Sequence, residues 1–347
     1  MAGALLTVDN LSVHYRIDAA ESLFRHDYRT LRAVDGVSFS LQPGETLGIV
    51  GESGCGKSTL ARAILGLVRP SGGRILWRGD NLVGLDEEGW RKRRRELQLV
   101  FQDPFGSLDP RMTVGQIVAE PLLNFFPSMS RLQVRERVAG MLKMVGLDPS
   151  QINRYPHEFS GGQCQRIGIA RALVVNPRLV VCDEPVSALD VSIQAQIVNL
   201  LKELQKKLQL SLIFIAHDLS VVRHVSDRVL VMYLGRVMET AGRDAFYAGP
   251  AHPYSRALVE SVPIPDPVAE RERARHSLGG ELPSPTDPPP GCVFHTRCPN
   301  AEARCREARP ALDMLADGRS VACVRWRELN PGLARDQDAL AGLSKAS

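Results

Sequence analysis

What the chain lacks narrows it first. No apolar run approaches the roughly 18 residues that a bilayer-spanning helix needs; Val229 to Leu234 is typical of the runs present. The chain is not expected to cross a membrane, and any link to one has to pass through a partner. The opening MAGALLTVDN has neither a basic stretch nor a long apolar one, so no signal peptide is expected and the chain reads as cytosolic. Excess charge of one sign is missing too: a net charge of +4 is too mild for a general polyanion-binding role. The C-x-x-C spacing of a zinc knuckle does not occur, although there are seven cysteines. What remains is an ordinary globular composition, 44% hydrophobic and 24% charged, in 347 residues. That length suits two domains, or one large domain with an appendage.

Residues 51–59 read GESGCGKST, which fits the phosphate-binding pattern G-x-x-x-x-G-K-[ST]. The apolar run Thr46 to Val50 before it reads as a short buried strand, and Leu60 to Leu67 after it as a helix. In that context the pattern has a mechanism. Gly51, Gly54 and Gly56 free the backbone to curl its N–H groups, including those of Ser53, Cys55 and Thr59, around a phosphate chain. Lys57 reaches the terminal phosphates, the Ser58 hydroxyl can ligate Mg²⁺, and the helix N-terminus adds its positive dipole end. The chain is expected to bind a nucleoside triphosphate.

Elsewhere the pattern alternates. Segments 5–17 and 31–50 read as strands, separated by a polar insertion at 18–30. Leu97 to Phe101 is strand-like, Leu179 to Cys182 is an apolar strand that runs into Asp183, and Leu212 to Ala216 has the continuous apolar character of a buried parallel strand. Residues 130–146, with Leu132, Val134, Val138, Met141, Leu142 and Val145, and residues 191–208, with Ile197, Leu200, Leu201, Leu204 and Leu208, follow helical spacing. The basic run RKRRR at 91–95 reads as a solvated helix face rather than a nucleic-acid patch. Strands alternating with helices give an α/β core. Eight of the 23 prolines fall between Pro263 and Pro290, so an extended connection is expected there.

Further segments follow the phosphate loop in order. These are Gln102-Asp103-Pro104; Phe159-Ser160-Gly161-Gly162-Gln163 opening a helix; Asp183-Glu184 ending an apolar strand; Ser187-Ala188-Leu189-Asp190; and His217 ending the next strand. A hard cation prefers carboxylate oxygen, which suits Asp183, and Glu184 is placed to polarise an attacking water. The set resembles the ABC-transporter ATPases, with Walker A, Q-loop, LSGGQ signature, Walker B, D-loop and H-loop in sequence. Phe159 departs from the usual Leu of the signature. The resemblance implies a P-loop, RecA-like ATPase core over residues 1–250 with a helical subdomain at about 105–165. It implies ATP and Mg²⁺ as cofactors, with Ser58, Gln102 and Asp183 around the metal. Glu184 would be the catalytic carboxylate, Gln102 would sense metal and water, and His217 would position the γ-phosphate. Ser160, Gly161, Gly162 and Gln163 would cap ATP held by a second ATPase subunit. Tyr15 is the aromatic favoured to stack on adenine, with Phe24 and Tyr28 as alternatives.

The C-terminal part narrows the family. Ala251 to Leu258 (AHPYSRAL), Gly280 to Pro285 (GELPSP) and the later Phe294-His295 and Arg297-Cys298-Pro299 resemble the F-type subunits of the dipeptide/oligopeptide importers. This implies a loop-rich extension over 251–330 and a flexible tail over 331–347. The implied partners are a homologous second ATPase, two transmembrane permeases and, indirectly, a peptide-binding protein. No nucleic acid is implied, and the place is the cytoplasmic face of the inner membrane. An importer of nickel or another small solute, a soluble ABC ATPase acting on nucleic acid or ribosomes, and a redox-sensing regulator are the competing readings. Cys292, Cys298, Cys305 and Cys323 crowd into 32 residues, which in a cytosolic chain points to metal before disulfides. The resemblance implies a [4Fe–4S] cluster there; zinc, with His295 as a spare ligand, and free thiols remain open. Cys55, Cys164 and Cys182 read as small apolar fillers.

Overall fold

The structure, a computed structural model, describes residues 3–18, 28–262 and 279–343. Phe24 and most of the proline-rich stretch, residues 263–278, lie outside the described residues. The chain opens with an antiparallel pair, β1 (Leu6–Asp18) and β2 (Tyr28–Leu41), so the ends of the polar insertion continue the strands. β3 (Thr46–Val50) runs into the phosphate loop and α1 (Lys57–Ile64) leaves it. β4 (Gly72–Trp77) and β5 (Asp80–Asn81) return to the first pair, giving a small sheet of order β2-β1-β4-β5.

The larger sheet holds the chemistry. Its parallel centre is built from β3, β6 (Leu97–Val100), β7 (Leu179–Asp183), β8 (Ser211–Ile215) and β9 (Arg228–Tyr233), in spatial order β9-β3-β8-β7-β6. β3, β7 and β8 are buried at every residue, as strands covered on both faces must be. β10 (Arg236–Gly242) adds antiparallel to β9.

α2 (Glu87–Arg94) carries the basic run. Three of its cations are paired within the chain: Lys92 to Glu88 at 3.0 Å, Arg93 to Asp80 at 2.5 Å and Arg94 to Glu87 at 2.5 Å. The solvated-face reading therefore fits. α3 (Val114–Phe125) and α4 (Arg131–Met144) form the helical subdomain, each opened by a reciprocal capping box, Thr113 with Gln116 and Ser130 with Gln133. Val134, Val138, Met141 and Leu142 face inward, whereas Leu132, expected on that face, is 65% exposed on the first turn. α5 (Gly161–Leu173) and α6 (Val191–Leu208) cover the large sheet; Ile197, Leu200, Leu201 and Leu204 are buried at helical spacing.

The C-terminal extension joins the main sheet and the main core. A short strand, Ser320–Val321, pairs with β10 and widens the main sheet. Val293 and Phe294 are fully buried in the main core, and Phe294 packs with Tyr233 and Tyr254 at ring separations of 5.4 and 5.2 Å. The tail expected to be flexible is helical over Pro331–Leu343, with Leu333 and Ala334 against the small cluster of Ala251, Leu315, Val321 and Trp326. Burying that apolar contact is what orders it.

Candidate nucleotide site and thiol cluster

The phosphate loop needs its glycines for steric reasons. Gly56 sits at φ +103°, and a side chain there would meet the carbonyl oxygen of Ala33 at 2.0 Å. A Cβ on Gly51 would lie 2.2 Å from the carbonyl oxygen of Met232. The loop is thus pressed between β2 and the end of β9. Lys57 is buried, and its ammonium donates to the carbonyls of Gly51 at 2.8 Å and Glu52 at 3.0 Å. Ser58 Oγ donates to Asp183 Oδ1 at 2.8 Å, bringing together two groups 125 residues apart. Burial raises the Asp183 carboxyl pKa, the Ser58 hydrogen bond opposes this, and the neighbouring Glu184 charge adds to it. A hydroxyl and a buried carboxylate side by side are the donor set a hard divalent cation takes.

Glu184 follows β7 in the left-handed region, at φ +48°, where a residue with a side chain is strained. Its N–H is tied to the Ile215 carbonyl at 3.0 Å. Its carboxylate accepts from Gln102 Nε2 at 2.9 Å, and His217 Nδ1 lies 3.8 Å from the same oxygen. Ser187 Oγ also accepts from Gln102, at 3.4 Å. Three residues distant in sequence therefore converge at the sheet's carboxyl edge beside the phosphate loop.

A cavity of about 320 Å³ lies over this floor. Ser53, Gly54, Gly56, Lys57, Ser58 and Thr59 line it, Gln102 and Glu184 close one side, and Tyr15, Leu31, Ala33 and Pro285 form the other. Tyr15 is 36% exposed at that rim. The alternative Tyr28 is a strand residue with Arg16 stacked over its ring at 5.8 Å, and it does not line the cavity. Cys55 is buried beneath the loop, its sulfur 3.8 Å from the Lys57 ammonium. Leu31 and Ala33 carry no residue type or spacing that marks them as site residues; Ser187 and Pro285 stand in stretches singled out in the sequence, yet only the folded contacts bring them to the site.

Ser160 to Gln163 stand elsewhere. Ser160 caps α5, accepting from the Gln163 N–H at 3.4 Å while Gln163 Oε1 accepts from the Ser160 N–H at 2.9 Å. Gly162 is packed so closely that a side chain would meet Ile193 at 2.5 Å. None of the four lines the cavity over the phosphate loop. Phe159, in place of the usual Leu, is buried in the core, so the exchange keeps its apolar role.

The second feature is a pocket of about 20 Å³ to which Cys292, Cys298, Cys305 and Cys323 all contribute, with His252 and His295. All four cysteines are free. Burial pushes the Cys292 thiol up to about 11 and the Cys323 thiol to about 12, and raises Cys298 as well. His295 Nδ1 is spent on the Cys292 carbonyl at 2.8 Å. Among the described residues, no three His, Cys, Asp or Glu side chains stand close enough to hold a single metal ion. The four free thiols share this one pocket.

Residues 34–187 match the ABC transporter family, and residues 238–305 match the oligopeptide/dipeptide transporter C-terminal region. The chain is 58% identical to the oligopeptide transport ATP-binding protein OppF of Escherichia coli (strain K12), over 92% of this chain and 96% of that protein. It is 59% identical to OppF of Salmonella typhimurium, over 89% and 92%. The chain belongs to the OppF-type ABC transporter ATP-binding proteins. Solved structures of ABC cassettes agree. The ATP-binding cassette MJ0796, in a dimeric post-hydrolysis state bound to ADP and Pi, superposes with a TM-score of 0.61 at 30% identity over 69% of this chain and 98% of that one. CbiO1 of Clostridium perfringens, part of the ABC transporter complex cbiONQ, gives 0.60 at 31% identity over 71% and 91%. As an ABC ATPase the chain takes ATP and Mg²⁺. The C-terminal match ends at 305, so Cys323 lies beyond it.

Proposed function

We propose that this chain is the ATP-hydrolysing subunit of an oligopeptide importer. The observation that carries this is identity above 55% to oligopeptide transport ATP-binding proteins over about nine-tenths of both chains, extension included. Lys57 and the loop N–H groups hold the terminal phosphates. Ser58 and Asp183 would hold Mg²⁺, which would supply positive charge against that developing on the transferred phosphoryl group. Glu184 polarises the attacking water, Gln102 reads metal and water, and His217 steadies Glu184 and the γ-phosphate. Tyr15 stacks on the base. The hydrogen bonds among Gln102, Glu184 and Ser58–Asp183 support these roles.

Ser160, Gly161, Gly162 and Gln163 act in trans, capping ATP on a second, homologous ATPase subunit. Their separation from the chain's own phosphate-loop cavity supports this. Two permeases dock on the helical subdomain, where α3 and α4 frame a groove of about 700 Å³. Among the described residues no helix is long and apolar enough to cross a membrane, which fits a subunit held at the cytoplasmic face of the inner membrane by those permeases. Cys292, Cys298, Cys305 and Cys323 would ligate a [4Fe–4S] cluster, which would staple the extension; the shared pocket supports this. Residues 1–250 form the ATPase unit and 251–330 the extension.

The test is transport. Assembled with its membrane partners in vesicles, the chain should drive ATP-dependent uptake of a labelled oligopeptide, and Lys57→Ala should abolish it. ATP hydrolysis that never moved peptide would refute the cargo.

A further inference from the structure

The family motifs of the C-terminal segment converge on one residue of the phosphate loop. Glu52, second in the loop, donates its N–H to Tyr254 Oη at 3.0 Å. Its carbonyl accepts from the Lys57 ammonium at 3.0 Å. Its carboxylate takes both ends of the Arg297 guanidinium, Nη1 to Oε2 at 2.7 Å and Nη2 to Oε1 at 3.0 Å. Tyr254 belongs to the AHPYSRAL stretch, and Arg297 directly precedes Cys298. The Arg297 side chain is only 7% exposed, with Nη1 also 3.4 Å from Tyr233 Oη and Nε donating to the Gly279 carbonyl at 3.2 Å.

The geometry points to Arg297 as a positioning residue for nucleotide binding, acting through Glu52, by which the thiol-bearing extension sets how tightly the phosphate loop holds ATP. A guanidinium gripping a carboxylate with two parallel hydrogen bonds fixes orientation as well as distance. The residue so fixed supplies one of the two carbonyls on which Lys57 rests. Those carbonyls compete with phosphate oxygens for the ammonium, so their placement enters the ATP affinity directly. Nothing in the loop itself restrains the Glu52 side chain; the restraint comes from 245 residues away.

This rests on the reading of the loop as the ATP site, and the experiment separates the two. ATP binding with Mg²⁺ and thermal unfolding would be measured on the full-length chain, and steady-state hydrolysis on the chain assembled with its second ATPase subunit and permeases, for wild type and for Glu52→Gln, Arg297→Met, Arg297→Lys and the Glu52→Gln/Arg297→Met double variant. Each single variant should weaken ATP binding and raise KM by roughly tenfold while kcat changes much less, with Arg297→Lys the mildest because it keeps the charge but not the fork. The double variant should be no worse than the worse single, since both remove the same interaction. Unchanged ATP affinity, even with lowered Tm, makes the pair merely structural and overturns the inference, as do losses that add in the double variant. A wild-type chain that failed to bind ATP would instead bring down the nucleotide reading itself.

Discussion

Glu184 shows how much can rest on one residue. A carboxylate held at φ +48° at the end of a fully buried strand is kept there by the Ile215 carbonyl on one side and Gln102 and His217 on the other. Strain of that kind persists only where the surroundings over-determine it. Glu184→Gln preserves shape and the polar contact to Gln102 while removing the carboxylate proposed as the base. Hydrolysis should fall by about two to four orders of magnitude, with ATP affinity within a few-fold of wild type. Phosphate release and equilibrium binding on the same sample decide it; near-normal turnover would strip Glu184 of the role. At this scale the sequence was generous: Lys57, Ser58, Gln102, Asp183, Glu184 and His217 each stand in a motif whose order carries meaning. Pro285 and Arg297 belong to family stretches, but a proline at a cavity rim and an arginine beneath a loop have no local signature.

Between elements, one carboxylate joins three parts of the fold. Asp35 on β2 pairs with Arg236 on β10 at 2.9 Å, faces Arg309 of the extension at 3.5 Å, and donates its N–H to the Gly235 carbonyl at 2.8 Å. Burial by itself would raise its pKa; the Arg236 hydrogen bond and charge, with Arg309 and Arg32 behind, outweigh that and hold it below the ordinary 3.8. A depressed carboxyl gives stability that is full above its unfolded-state pKa and is lost as pH falls through the folded-state one. Asp35→Asn should therefore cost roughly 1–3 kcal/mol near neutral pH, discounted for partial exposure. The gap to wild type should close at pH values below about 4. Unfolding curves across that range test it, and a gap that held constant into acid would count against the linkage. Helix and strand positions were legible because period and capping are local; the partner of Asp35 was not, because Arg236 and Arg309 lie 201 and 274 residues away.

For the molecule as a whole, the extension is a second layer fastened to the ATPase unit. It shares the main sheet through Ser320–Val321 and the main core through Phe294, yet its own apolar cluster is small. A cluster binding four thiolates would supply the stability that so little core withholds. Purified anaerobically, the full chain should be brown and hold about four irons, lost on Cys298→Ser. A colourless, iron-free preparation would leave the thiols without a metal. The same scale explains why one chain carries only half of each proposed site: its signature residues and its own cradle face different places.

The order of short motifs by itself determined the chemistry, since phosphate, metal and water each demand particular groups at fixed positions along a strand, loop or helix end. It also determined the α/β class, because buried strands and amphipathic helices have different periods. Only the tertiary structure decided that the cysteine-bearing stretch packs against the main core, that a tail of neutral appearance docks as a helix, and that the phosphate loop is gripped from the far end of the chain. Those contacts arise from packing between segments as much as 245 residues apart, where no local preference of the backbone can announce the partner.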